Sequence, residues 1–435
     1  MASKSVFAPL LIVGLLGVAG VSAMPILPNE GGQRAAVAPF DAALAKAYEA
    51  LGEKRPADAK RLFEEAAKLD PKSIFPWLGL ADVARLGNDA KAIESALKKA
   101  MELGPERPEP VIAMARYHYM RKAYDEAEAL LRKAAKIAPK SEVPLIDLGD
   151  LYAGVRQDTN KAMEFYRQAI QVAPNHAGAH YALGMLLLGR HDALGAIPLL
   201  EKSQDLAAGK TPLPSMGLGR AYSQARKWKD AQEAFTRALT IQPGLADAYI
   251  GRAGTFLAAG NRAKALADLQ KAEESNPNGA EAPLRIGLLQ QEDGAAKEAY
   301  AAYERALRLE PKLVLAYNNL AWLAATRRER LDEALAWIQK ARSLAPKEAM
   351  LYDTHGWVLR ARGDPAGAMT VLNEGIGLQP SADLHYHLGV VQMEAGRADD
   401  ARGNFRKALQ IQPDFGDAKD AKSRLRQLEA PQGNK

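Results

Sequence analysis

The sequence predicts an all-α protein, a stack of about eleven helix pairs closed by one further C-terminal helix. Three observations carry this. A proline recurs behind an apolar helix end at Pro71, Pro105, Pro139, Pro174, Pro243, Pro277, Pro311, Pro346, Pro380 and Pro413, with spacings of 33 to 35 residues and one double interval of 69. Ala and Leu dominate an apolar fraction of 48%, and no sustained period-two alternation marks strands. Small and large residues also recur in phase with the prolines, as they must where helices approach closely.

Lys4 precedes an uncharged, mostly apolar run from Val6 to Val21, and Val21-Ser22-Ala23 places small residues where a signal peptidase reads them. Residues 1–23 read as a signal peptide. An uncleaved membrane anchor through residues 6–21 is the alternative, although the run is shorter than the ~20 residues that span a bilayer. Residues 24–39, with Pro25, Pro28, Gly31 and Gly32, read as a linker. Residues 40–211 then hold repeats one to five and residues 212–415 repeats six to eleven. Between them, Ala207 to Ser215 replaces the usual short turn and Pro198 lies within a helix, so a kink or a change of path is expected there. Residues 416–429 read as a capping helix with Ala418, Ala421, Leu425 and Leu428 on its apolar stripe, and residues 430–435 as a tail.

Within each repeat the first helix carries a bulky residue, then Leu-Gly, then a second bulky residue: Leu148-Gly149 with Tyr152, Leu183-Gly184 with Leu187, Leu218-Gly219 with Tyr222. The second helix carries small, large, small: Ala127, Leu131, Ala134; Ala231, Phe235, Ala238; Ala299, Tyr303, Ala306; Ala401, Phe405, Ala408. The glycine lets the second helix lie against the first, and the large residue fills the gap. Pro76, Pro110, Pro144 and Pro214 fall near the start of the first helix, where the missing N–H costs nothing. These positions resemble the tetratricopeptide repeat pattern W-x2-L-G-x2-Y, A-x3-F, A, P. The resemblance runs from Phe40 to Asp414 and implies a right-handed superhelical solenoid.

Charge and chemistry are less informative. Lys and Arg (58) interleave with Asp and Glu (52), which argues for solvated helix faces and against a nucleic-acid stripe. The absence of cysteine excludes disulfides, thiolate metal sites and a thiol nucleophile. His176, His180 and His191 form one group, and His355, His385 and His387 another, but neither has a metal-binding motif, and His180 and His385 take the bulky position of the repeat. Gly217-Leu218-Gly219 lacks the strand and the Lys-Ser/Thr of a phosphate loop. No catalytic, cofactor or metal site is predicted, and the chain reads as a non-enzyme.

What remains is a surface. The family resemblance implies that the first helices line a concave groove that holds a protein or peptide partner. Repeat phasing assigns Phe75, Tyr119, Tyr181, Met185, Trp322, Trp357, Tyr386 and Val390 to that groove as apolar contacts, with Arg220, Asp353 and Arg360 as charged ones. For Trp322 and Trp357, at the same position of successive repeats, core packing is the competing reading. The residues lack the Lys/Asn/Arg set that grips a terminal carboxylate and the Asn ladder used elsewhere in the family. Asn318-Asn319-Leu320-Ala321-Trp322-Leu323 and Asp353-Thr354 with Gly356-Trp357-Val358-Leu359 resemble the C-terminal repeats of bacterial envelope proteins linked to exopolysaccharide export, although His355 stands where an aliphatic residue is usual. That resemblance implies an exported, periplasmic or membrane-tethered scaffold of an export or assembly machine. A holder of exported protein segments, and a metal-dependent protein using the histidines, are the other function classes.

Overall fold

A computed structural model describes residues 38–429; the signal or anchor segment, most of the linker and the tail lie outside the described residues. Among the described residues there are 23 α-helices and no strand. They fall into two compact units, one ending at Lys227 and the other beginning at Trp228.

In the first unit the helix pairs are α1 (Pro39–Gly52) with α2 (Pro56–Leu69), α3 (Phe75–Leu86) with α4 (Ala90–Leu103), and α5 (Pro108–Met120) with α6 (Tyr124–Ile137). These are followed by α7 (Val143–Leu151) with α8 (Thr159–Val172), α9 (Ala177–Gly189) with α10 (Ala193–Ala207), and α11 (Leu213–Gln224). The second unit opens with α12 (Trp228–Ile241), then α13 (Ala246–Ala258) with α14 (Arg262–Ser275), and α15 (Glu281–Glu292) with α16 (Ala296–Leu309). Next come α17 (Val314–Arg327) with α18 (Leu331–Leu344), α19 (Ala349–Ala361) with α20 (Pro365–Leu378), and α21 (Ala382–Glu394) with α22 (Ala398–Ile411). The last helix is α23 (Ala418–Glu429), on whose inner side Ala418 and Ala421 are buried. We call the first helix of each pair helix A and the second helix B.

The small positions work by backbone approach. A methyl group added at Gly149 would lie 2.5 Å from the Tyr166 ring of its own helix B, and one at Gly356 would lie 2.5 Å from Leu372. The same large residue also meets the following repeat. Leu200 sits against Gly184 of its own helix A and against Gly217 of the next, and Phe235 sits against Gly251. Gly217 thus has a packing role, and each helix-B large residue is a peg between two helix-A backbones. Tyr303, Phe63 and Phe405 are fully buried in that role. Removing such a ring costs about 3–5 kcal/mol.

Helix ends follow local chemistry. Asp89, Asp158, Asp192, Asn261 and Asp364 accept a backbone N–H three residues on and so cap their helices B. Each A-to-B turn contains a residue in the left-handed region. Glycine supplies it at Gly260, Gly294, Gly363 and Gly396, whereas Lys54, Asn88, Lys122, Gln157, His191, Arg226, Arg328 and Arg330 adopt it without glycine. The extra residue of the fourth repeat is absorbed as a π-helical turn, Tyr152–Arg156, that continues α7 and ends on Gln157. At the irregular junction α10 runs unbroken through Pro198 and ends on Ala208 and Gly209, both left-handed. The Leu200 peg keeps its register across it.

Candidate functional site

The residue directly after the small helix-A residue repeats through the chain: Arg116 after Ala115, Asp150 after Gly149, Met185 after Gly184, Trp322 after Ala321, Trp357 after Gly356, Val390 after Gly389. Its chemistry differs between the units.

In the first unit this face is charged. Arg116 makes a bidentate pair with Asp147 at 2.8 and 3.1 Å. Asp147 is buried, and burial pushes its carboxyl up against the pull of Arg116. Asp150 is buried as well. Tyr166 donates to its Oδ1 at 2.6 Å, while its Oδ2 has no partner. Burial, opposed by that hydrogen bond, pushes the Asp150 carboxyl up to about 6. Among the predicted groove residues, Phe75 is half-buried under the Arg107 guanidinium at 5.7 Å, and Tyr119 packs edge-on to Tyr124 at 5.4 Å. Tyr181 and Met185 are half-buried and Arg220 is exposed.

In repeats nine and ten of the second unit the position is aromatic. Trp322 and Trp357 stack at 6.0 Å with 18° between their planes, and both are half-buried. Trp357 also meets the Arg360 guanidinium at 4.2 Å and the His387 ring at 4.3 Å and packs against the neighbouring cores. His387 is 5.6 Å from Trp322 and hydrogen-bonds Asp353 at 2.7 Å. Burial disfavours its charged form, but Asp353, with Asp417 and Asp383, raises its pKa overall. Arg360 pairs with Glu394 at 2.8 Å. Asp353 and Arg360, predicted as partner contacts, are therefore engaged within the chain.

Two groove assignments need correction. Val390 is 1% exposed and Tyr386 is 7% exposed. Both belong to a core with Phe405, Phe415 and Ala421, and the Tyr386 hydroxyl donates to Asp420 of α23 at 2.7 Å. The cap and the segment leading into it cover the last repeat, so these side chains do not line an open groove.

The histidines have separate duties. His176 caps α9 by accepting from the Ala179 N–H, His180 bonds the Pro174 carbonyl at 2.8 Å, and His385 bonds the Asn404 amide oxygen at 2.7 Å. His355 is buried and accepts from Arg342 at 2.6 Å; burial first, then Arg342, push its pKa down to about 4. Among the described residues no group of three or more His, Asp or Glu side chains could hold a metal ion, and no helix is long and apolar enough to cross a membrane. A depression is lined by Glu304, Leu307, Leu320, Arg330 and Trp337 of α16, α17, α18 and the turn before α18.

Sequence reasoning missed Asp147 and Asn318, both buried polar residues at helix-A positions. A signal exists for the first. Arg116 and Asp147 are 31 residues apart, and Arg262–Asp293, Arg305–Glu273 and Arg342–Glu374 repeat that near-repeat separation as inter-repeat ion pairs.

Tetratricopeptide repeat models match residues 146–176, 216–280, 284–349 and 354–414, just over half of the chain. Human Superkiller complex protein 3 is 25% identical over 281 residues, 60% of this chain and 18% of that protein. The peroxisomal targeting signal receptor of Candida albicans is 26% identical over 198 residues, 43% of this chain and 32% of that protein. The chain thus spans about a third or less of these relatives' lengths. Among solved structures, the APC/C hetero-tetramer Cut9–Hcn1 aligns with a TM-score of 0.47 at 14% identity, over 90% of this chain and 97% of that one.

Proposed function

The chain belongs to the tetratricopeptide repeat family, and from that premise we propose that it is a scaffold docking a protein or peptide segment on the helix-A faces of its repeats. The observation that carries this reading is the stacked pair Trp322 and Trp357. Two large indoles lie side by side and half-buried, while the pegs of the same unit, Tyr303 and Phe405, are fully buried. Half-exposed aromatic side chains on a rigid helix face provide large contact area at small entropic cost, and such residues dominate binding energy at interfaces.

We place this scaffold outside the cytosol, in the periplasm or on the inner membrane, as part of an envelope machine such as one for exopolysaccharide export. Lys4, the apolar run of residues 6–21 and Val21-Ser22-Ala23 support export, and the sequence likeness over Asn318–Leu359 supports the machine. N-terminal sequencing of the cell-derived protein is expected to begin at Met24; an intact N-terminus in the cytosolic fraction would overturn the location. Docking is tested by partner recovery with Trp322→Ala/Trp357→Ala. A stoichiometric partner lost with the indoles supports the scaffold. Weak recovery of many unrelated unfolded proteins points instead to a holder of exported segments.

A further inference from the structure

Building on the docking role above, we propose the class of partner: an extended protein segment in which apolar side chains are followed by basic ones, lying across helices A of repeats nine and ten and ending at the exposed start of α21 beside the cap.

The apolar end is set by α17 and α19. Leu315 is 39% and Met350 is 51% exposed. Each lies seven residues, about two turns, before an indole on the same helix face, Leu315 before Trp322 and Met350 before Trp357. Four residues before Trp322, on the same stripe, the Asn318 amide oxygen is buried without a donor.

One repeat later the chemistry changes sign. Asp383 stands on α21 where Leu315 and Met350 stand on their helices, and it is exposed. Asp414 and Asp417, in the turn entering the cap, are exposed too. None of the three makes an ion pair among the described residues, whereas several nearby cations are engaged and Lys419 is exposed. Arg424 pairs with Asp420, Arg360 with Glu394 and His387 with Asp353, and the Lys422 ammonium donates to the Pro413 carbonyl at 3.2 Å. Burial first, then Asp353, raise the Asp383 carboxyl, and His387 opposes them. On a chain of net charge +6, this is a local acidic end beside an apolar strip. A basic side chain on the partner is its complement.

The probe is a fluorescein-labelled synthetic peptide of about ten residues, long enough when extended to cross three helices, with Leu in its first half and Lys in its second. Controls carry Glu or Gln in place of Lys. Anisotropy titrations use the full chain, Asp383→Asn/Asp417→Asn and Trp322→Ala, with melting curves to confirm that each variant is folded; the two aspartates are exposed and their loss leaves the fold intact. The expected result is binding of the Leu–Lys peptide alone, weakened about tenfold by the double Asn variant and by raised salt, and lost with Trp322→Ala. Equal binding of the Lys and Glu peptides, no binding of any peptide, or no effect of the Asn variant would overturn the proposal. Selective binding of the Glu peptide, lost with Trp322→Ala, would keep the docking face and discard the basic partner. Binding of every peptide insensitive to Trp322→Ala would discard both. A dimer of the wild-type chain that the Asn variant dissociates would make a second copy the occupant and overturn the proposal as well.

Discussion

Repeats three and four carry charge at the helix-A position where repeats nine and ten carry indole. Arg116 and Asp150 stand where Trp322 and Trp357 stand, each directly after the small residue that lets helix B close in. The backbone arrangement is shared, but the outcome is not. In the charged row Asp150 is buried, whereas Arg116 is exposed and reaches the buried Asp147. Asp147 is taken up by Arg116 and Asp150 by Tyr166, and both carboxylates are buried. The indole row stays half open, flanked by exposed Leu315 and Met350. One repeat position thus holds neighbours together in one region and leaves a large side chain half open in the other.

The sharpest way to break that distinction is to remove a cation from each region. Arg116→Leu leaves Asp147, 2% exposed, without its counter-charge and is expected to cost ~2–4 kcal/mol in denaturant melts. Arg360→Leu, whose partner Glu394 is exposed, is expected to cost under ~1 kcal/mol. Equal losses would mean that the charged row is no more structural than the aromatic one.

Acid should then act oppositely on the two regions. Burial raises the Asp150 carboxyl from 3.8 to about 6 in the folded state. Between those values the folded state holds the proton that the unfolded state releases, so its burial cost appears as pH rises from about 4 to 6, by up to ~1–3 kcal/mol. His355 has a folded pKa of about 4 against 6.5, so the unfolded state takes the proton first and stability is lost as pH falls from 6.5 to 4. The raised pKa of His387 acts in a different window: its contribution is full below 6.5 and is lost as pH rises through the folded value. Repeats exchange energy mainly with their neighbours, so between pH 6.5 and 4.5 hydrogen-exchange protection factors, taken against the intrinsic rate at each pH, should rise in α7 and α8 and fall in α19. Asp150→Asn should abolish the first trend and His355→Leu the second.

The smallest expected effect separates the two indoles. Trp357 is enclosed by Trp322, Arg360 and His387, whereas Trp322 has no cation over it. Trp357→Ala should cost ~2–3 kcal/mol and Trp322→Ala ~1 kcal/mol. A Trp322→Ala loss as large as that of a buried peg would return that side chain to the core.

The fold was legible because its determinants are periodic. The prolines mark the helix-B ends from Leu69 to Ile411, and Gly149, Gly184, Gly356 and Gly389 sit where backbone contact was expected. What escaped is not periodic. Lys54, Lys122 and Arg226 give a left-handed turn no glycine signature, and the extra residue of repeat four disappears into a π-turn. That Trp322 and Trp357 share one repeat position was legible, and the structure stacks them. The candidate site was misread at Tyr386 and Val390 because the cap, reaching back through Phe415, lies outside the repeat that set the phase. Asp353 and His387 are 34 residues apart, and only the packing of adjacent helices A shows that they pair.

The account rests on the helix-A face of repeats nine and ten being where a partner docks. The most direct measurement is photo-crosslinking in the native cell, with a benzophenone side chain placed at Met350 on α19 or at exposed Lys340 on helix B α18. The account predicts a discrete adduct from Met350 that disappears when Trp322→Ala is added, and none from Lys340. Adducts from Lys340 with none from Met350 would contradict it.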